Sequence, residues 1–397
     1  MKILVLAGGL SPEREVSLTS GSLVADALAQ RGHEVCLCDL YTGRGVDGGE
    51  PVFRTGRIPV YRVGPTVPDL VRLKQETGRG ECRLGPGVLS LCHRAEVVFI
   101  GLHGDVGENG QLQAVLDMEG IPYTGSGYVG SLLAMDKDLS KLMMEQAGIP
   151  TPPWVRLSSG GSAGDAVRTV EERIGYPAVI KPSACGSSVG VSMVENRAAL
   201  EEALRLAAGY GTDILAEKRI YGRELTVSIL GGQVLPAVEI IPKTGFYDYQ
   251  NKYQAGATTE LCPAPLTESE SRYLSRLSVR GFAALRLSGY ARFDFILDRE
   301  GTPWCLEANT LPGMTPTSLL PLAASAAGMD YPALCERIIR LAFGNRCFIR
   351  WHIFGTSFPA CFLPKNSMYI QYILSFSQSQ TKKSVPNLHH LIQSAFP

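Results

Sequence analysis

The stretch Tyr290 to Pro316, YARFDFILDREGTPWCLEANTLPGMTP, constrains the fold of this chain more than any other. Two largely apolar runs flank Asp298, Arg299, Glu300 and Gly301, a turn signal, so the segment reads as the paired strands of a hairpin. Alternation puts Arg292 and Asp294 on one face of the first strand, and Glu307 and Asn309 likewise on the second. Closing the hairpin gathers a guanidinium, two carboxylates and an amide between Phe293, Phe295, Ile296, Trp304 and Leu306. A solvated surface turn accounts for Asp298 to Glu300, but it explains poorly the charges set inside apolar strands. The set suits a metal-bound polyphosphate, because hard cations take oxygen ligands and an arginine neutralises charge on a transferring group.

The rest of the composition is that of an ordinary soluble globular protein. The chain has 397 residues, enough for two or three domains, and 38 basic against 38 acidic side chains. A net charge of zero leaves no electrostatic footprint for nucleic acid or an anionic membrane, so small molecules are the expected partners. MKILVLAGG carries too short an apolar run for a signal peptide or a membrane span, and cytoplasmic residence is the expectation. The ten cysteines show no Cys-x-x-Cys spacing, which indicates neither a zinc site nor a disulfide framework.

The chain opens as strand Lys2 to Ala7, a Gly8-Gly9 turn, a helix from about Glu15 to Gln30 and a strand near Glu34 to Leu40, a β-α-β start. Thr42 to about Gly87 is a polar, Gly-rich insert without clean periodicity. A buried strand, Val97 to Leu102, then runs into the glycine-rich turn His103 to Gly110 and a helix through Met118, and ligands of open α/β sheets bind at such strand ends. The three-glycine dinucleotide fingerprint is missing after the first strand, which argues against a nicotinamide cofactor. Further on come helix Asp136 to Ala147, strands Pro177 to Lys181 and Gly190 to Val194, and between those strands a small-residue loop whose amides and hydroxyls suit phosphate oxygens. It lacks the Walker spacing, and a plain turn is the simpler account of it. Strands Leu225 to Leu230 and Val234 to Ile241 follow, then a long aromatic and Gly-containing loop, Thr244 to Leu261, of the kind that forms lids.

In order along the chain, Gly8-Gly-Leu-Ser-Pro-Glu-Arg-Glu-Val-Ser17, His103-Gly-Asp-Val-Gly-Glu-Asn-Gly110, Lys181-Pro-Ser, Gly186-Ser-Ser-Val-Gly190, Lys252-Tyr253 and Leu306-Glu-Ala-Asn-Thr-Leu-Pro-Gly-Met314 resemble the D-alanine:D-alanine ligase family of the ATP-grasp superfamily. The resemblance runs from Met1 to about Phe343. It implies an α/β chain: an N-terminal doubly wound α/β domain (1–120), followed by a two-subdomain ATP-grasp fold (121–213 and 214–343), with 344–397 as an atypical tail. The implied reaction activates one D-alanine as an acyl phosphate at the expense of ATP, and the amine of a second D-alanine attacks it. Two magnesium or manganese ions and a homodimer are implied as well.

Residue by residue, the resemblance makes Asp294, Glu307 and Asn309 metal ligands, and puts Arg292 and the Gly313 amide beside the transferred phosphoryl and the tetrahedral oxyanion. Lys137, Lys181 and Lys252 match phosphate contacts, and Glu217, Ile220 and Glu224 match nucleoside contacts. Glu13, hydrogen-bonded with Ser187 and Tyr253, matches the group that receives the first D-alanine's ammonium. His103 lies near that substrate's carboxylate, and Ser318 meets the second substrate's. Relatives that make D-alanyl-D-lactate typically lack the Lys-Tyr pair, so Tyr253 favours an amine as the second nucleophile.

Two other functions compete with this one. Gly186-x-Ser188-x-Gly190 satisfies the nucleophile elbow of serine hydrolases, but the histidines downstream are His352, His389 and His390, outside the resemblance, and a strand rather than a helix is expected after Ser188. A non-catalytic nucleotide-binding module would have lost the metal or arginine positions, and all four are present. Asn345 to Pro397 contains no Asp or Glu and six of the 13 phenylalanines, so it reads as an extension unrelated to the core.

Overall fold

Strand β1 (Lys2–Ala7) is apolar on both faces and buried from Ile3 onward, as a central parallel strand requires. It pairs in parallel with β2 (Glu34–Asp39) and β3 (Val97–Ile100), giving a sheet of order β2-β1-β3. Helix α1 (Arg14–Gln30) crosses between β1 and β2 and lies against the sheet at Gly21, where an added Cβ would come within 2.5 Å of the Ala7 Cβ. Among its described residues the insert carries one helix, α2 (Leu70–Thr77), capped by the Asp69 side chain, and α3 (Val88–Arg94) leads into β3. The turn read at His103 to Gly110 contains a single helical turn, α4 (Asp105–Glu108), ahead of α5 (Gln111–Met118). Two further helices follow, α6 (Tyr128–Met135) and α7 (Lys137–Gln146), the latter capped by Asp136 rather than starting on it.

The structure is a computed structural model that describes residues 1–46, 48–62, 68–186, 189–211, 213–243 and 258–353, the last nine as helix backbone. Met1–Phe348 is one compact unit, and Ile349–Pro397 is a second.

The middle of the chain builds an antiparallel sheet of order β4-β7-β5-β6 from β4 (Trp154–Ser158), β5 (Ala178–Pro182), β6 (Ser192–Val194) and β7 (Asp213–Lys218). Helices α8 (Ala163–Arg173) and α9 (Arg197–Ala208) supply its cover, each started by a side-chain cap, Ser162 and Asn196. Val155, Val170, Ile180, Leu200 and Ile214 are buried together in its core. Because β7 pairs with β4 and β5, this sheet continues past residue 213, where the expected division between subdomains falls.

A third, six-stranded sheet follows the order β11-β10-β8-β12-β13, with β9 on the side of β8. Its strands are β8 (Gly222–Leu230), β9 (Gln233–Val234), β10 (Val238–Pro242), β11 (Thr258–Leu261), β12 (Tyr290–Asp298) and β13 (Pro303–Asn309). The single strand expected over Val234 to Ile241 is two, because Pro236 between them has no N–H to give a ladder. The loop expected over Thr244 to Leu261 ends in β11, whose backbone pairs with the edge of β10; residues 244–257 lie outside the described residues. Helix α10 (Glu268–Ala284) opens with a capping box, Thr267 with Glu270, and packs on β8 and β12 through Leu274 and Leu277. Helices α11 (Leu319–Ala326) and α12 (Tyr331–Ile353) close the unit. The hairpin has the expected register, Arg292 opposite Asn309 and Asp294 opposite Glu307, with a bulge at Asp294/Phe295.

Candidate active site

The hairpin's polar face holds a dense set of contacts. Arg292 donates to both carboxylate oxygens of Asp294 at 2.8 Å, and Asn309 Nδ2 donates to Asp294 Oδ2 at 3.0 Å. Phe293 and Phe295 point the other way into the core under α10, so alternation fixes which side the charges occupy. Lys137, the first residue of α7, brings Nζ to 3.4 Å from Glu307 Oε2 and donates at 2.6 Å to the Cys185 carbonyl in the small-residue loop.

Beyond this face lies a cavity of about 520 Å³ between the four-stranded and six-stranded sheets. Lys137, Lys181, Glu217, Ile220, Glu224, Asp294 and Glu307 line it together, and Val179, Val191, Met193, Ile240, Ile296 and Leu306 provide apolar walls. Residues that are up to 170 positions apart thus share one cleft that offers carboxylates, ammonium groups and aliphatic surface. Glu217 is 3% exposed; Lys181 Nζ donates to its Oε1 at 2.6 Å, and Lys141 Nζ forms an ion pair with Oε2 at 2.9 Å, off the hydrogen-bonding direction. Burial pushes the Glu217 carboxyl up, but the two lysines outweigh it and hold the group below its ordinary range.

Glu13 and His103 lie just past the carboxyl ends of β1 and β3. Glu13 is buried at the start of α1, and its carboxylate lies so near Gly104 and Gly186 that a Cβ on either would approach Oε2 to 2.6 and 2.8 Å. His103 is buried, with Nδ1 3.2 Å from the Leu311 carbonyl and Nε2 3.3 Å from Ser20 Oγ. Burial lowers its basicity, partly opposed by the Glu13 charge. Gly313 sits against Ser318: a Cβ there would meet Ser318 Oγ at 2.9 Å, while that hydroxyl also accepts from the Thr315 amide at 3.1 Å. Ser187, Lys252 and Tyr253, and Ser188 of the alternative elbow, lie outside the described residues; strand β6, not a helix, follows that loop.

Two residues of this region escaped the sequence reading. Glu108 accepts from the Gly104 amide at 2.7 Å and from the Leu311 amide at 3.3 Å, tying the His103 loop to the segment after β13. Burial, then the Glu13 charge, pushes its carboxyl up to about 7. Lys141 is 1% exposed beneath the cavity, and only its spacing of one helical turn from Lys137 hinted at a shared face. The insert also reaches this region, since Arg83 Nε lies 2.9 Å from Asp105 Oδ2 and Asp105 holds a left-handed backbone, φ 45°. The eight cysteines whose side chains are described are all free.

A three-stranded parallel α/β unit followed by two antiparallel sheets facing across a lysine- and carboxylate-lined cleft defines an ATP-grasp protein. Family models described as D-ala D-ala ligase N-terminus and C-terminus match residues 2–126 and 143–340. The chain belongs to the D-alanine–D-alanine ligase family. It is 40% identical over 347 residues to the D-alanine–D-alanine ligase of Pediococcus pentosaceus (85% of this chain, 97% of the relative). With that of Gloeobacter violaceus it shares 41% over 346 residues (85% and 98%). The crystal structure of the Bacillus anthracis enzyme superposes with a TM-score of 0.68 at 30% identity, covering 88% of this chain and 99% of that one; the same enzyme complexed with ATP also gives 0.68, at 28% identity.

Proposed function

We propose that the cleft between the two antiparallel sheets binds ATP and that the chemistry takes place where it meets the loops after β1, β3 and β13. The chain is an ATP-dependent ligase that joins two D-alanine molecules into D-alanyl-D-alanine. The observation that carries the site reading is the hairpin register, which sets Arg292, Asp294, Glu307 and Asn309 side by side on the wall of a cavity that Lys181 and Glu217 also line.

In this reading Lys137 and Lys181 hold the phosphates, Glu217 and the Ile220 backbone meet the adenine, and Glu224 meets the ribose. Glu13 takes the ammonium of the first D-alanine, and His103 stands near its carboxylate. That carboxylate attacks the terminal phosphorus, the bond to the bridging oxygen breaks, and ADP leaves. Arg292 offsets charge on the transferring group. The second D-alanine, held at its carboxylate by Ser318, loses a proton from its ammonium and attacks the acyl carbon. The Gly313 amide faces the oxyanion, and phosphate departs.

Asp294, Glu307 and Asn309 offer oxygen donors only, a set that fits magnesium or manganese. Among the described residues no three His, Cys, Asp or Glu side chains form a metal cluster, and the third member here is an amide. Two such ions, when bound, neutralise the phosphates. Cytoplasmic residence and a homodimer belong to the same reading, and size-exclusion chromatography with light scattering tests the dimer. The decisive assay follows phosphate release and dipeptide from ATP, magnesium and D-alanine, with D-lactate and L-alanine as competitors. Absence of D-alanine-dependent phosphate release overturns the assignment.

A further inference from the structure

Three carboxylates of the cleft each hold a cation that the reading above gives to the phosphates or the transferring group. Glu307 holds Lys137 at 3.4 Å, Asp294 holds Arg292 at 2.8 Å, and Glu217 holds Lys181 at 2.6 Å. When a polyphosphate draws those cations away, Asp294 and Glu307 are left in the oxygen set suited to a divalent cation. Glu217 is not in that set; it stands on β7, in the other sheet, fully buried. Its remaining partner is Lys141, whose Nζ is fixed by Thr151 Oγ1 at 2.7 Å, the Pro152 carbonyl at 3.4 Å and the face of Trp154, 5.4 Å from the ring centroid. A buried ammonium costs several kcal/mol of hydration, about what a methionine in the same space would avoid, so packing alone does not account for a lysine here.

We propose that Lys141 is a positioning residue that keeps Glu217 an acceptor-only anion after Lys181 has gone to the phosphate, and so sets the preference for a nucleobase carrying an exocyclic amino group. The inference rests on the placing of adenine against Glu217. An ionised carboxylate offers lone pairs and no proton, so it rewards an amino group and rejects a carbonyl at the same position. Once Lys181 has left, removal of Lys141 leaves a desolvated carboxylate without a counter-charge, which takes up a proton more readily. Among the described residues the charged groups facing Glu217 are Lys141 from α7 and Lys181 from β5, while β13 presents the Cys305 thiol toward Lys141 and β4 presents Trp154.

The test compares magnesium complexes of ATP and of purine riboside triphosphate, which has the same sugar and phosphates but no amino group, by titration calorimetry without D-alanine from pH 6 to pH 9. Phosphate ionisation cancels in the ratio of the two affinities. The wild type is expected to prefer ATP by about tenfold or more throughout, the worth of a hydrogen bond to a charged group. Lys141→Met is expected to lose that preference at pH 6 and regain it toward pH 9. A wild type without preference overturns the adenine placement and the inference with it; a wild-type preference that Lys141→Met keeps at every pH overturns the inference alone. If Lys141→Met does not fold, Lys141→Met/Glu217→Gln decides. Recovery of the fold in the double variant supports Lys141 as the counter-charge of Glu217, and a double variant as unfolded as the single one overturns it.

Discussion

Glu108 stores a penalty in the ligand-free enzyme that a single substitution should reveal. Its carboxyl is pushed from 4.5 up to about 7 by burial and by Glu13, while it accepts the amides of Gly104 and Leu311. An acid raised in the folded state contributes fully below its unfolded value and loses that contribution as pH climbs through the folded one. The window is therefore pH 4.5 to about 7, with stability falling as pH rises. At about 1.4 kcal/mol per pH unit, the whole loss is about 3 kcal/mol, most of which falls between pH 5 and pH 8. Glu108→Gln removes this pH dependence. It also turns an amide nitrogen toward one of two N–H donors, a pH-independent cost of about 1 to 3 kcal/mol. Urea unfolding of the metal-free, nucleotide-free protein should show the variant clearly weaker at pH 5 and near the wild type at pH 8. Activity should fall at both, because the His103 loop and the segment carrying Gly313 lose their shared anchor. Parallel pH–stability curves for the two proteins refute the reasoning.

Glu307→Gln should abolish D-alanine-dependent phosphate release while the melting temperature stays within a few degrees of the wild type; an active variant refutes its role as a metal ligand. Gly21→Ala should cost about 1 to 3 kcal/mol in urea unfolding, because the new methyl would stand 2.5 Å from the Ala7 Cβ, and an unchanged midpoint would mean that α1 can lift freely from the sheet. A chain ending at Gly344 should fold and ligate D-alanine, since the family match stops at residue 340. Loss of either property, measured by circular dichroism and phosphate release, would make the tail part of the working enzyme.

What the sequence disclosed of this site followed from local periodicity. Arg292, Asp294, Glu307 and Asn309 share a face because period-two alternation along two strands is decided within each strand. β1 was equally plain, as a continuous apolar run that ends in two glycines. The helices α8 and α9 had their caps written in Ser162 and Asn196, yet neither was picked out. Glu108 and Lys141 were beyond such reasoning: one finds its partner at Leu311, the other at Glu217, and those meetings depend on how whole sheets come together. The family resemblance supplied roles for Glu13 and His103 that no spacing rule contains, and the fold gathers both beside Gly104 and Leu311.

The apolar cores are not distributed like the chemistry. The four-stranded sheet draws its whole buried cluster from residues 155–216, whereas the N-terminal sheet shares one cluster with Leu230, Tyr290, Leu320 and Ile338. A self-contained core opens with its own free energy, so the amides of β5 and β7 can exchange with solvent in a local event that leaves β1 protected. A nucleotide touching Glu217 on one side and Asp294 on the other would add its binding energy to that opening cost. Saturation with ATP would then slow exchange in the middle sheet selectively, and the nucleotide cleft would double as the mechanical brace of a sheet whose core is its own.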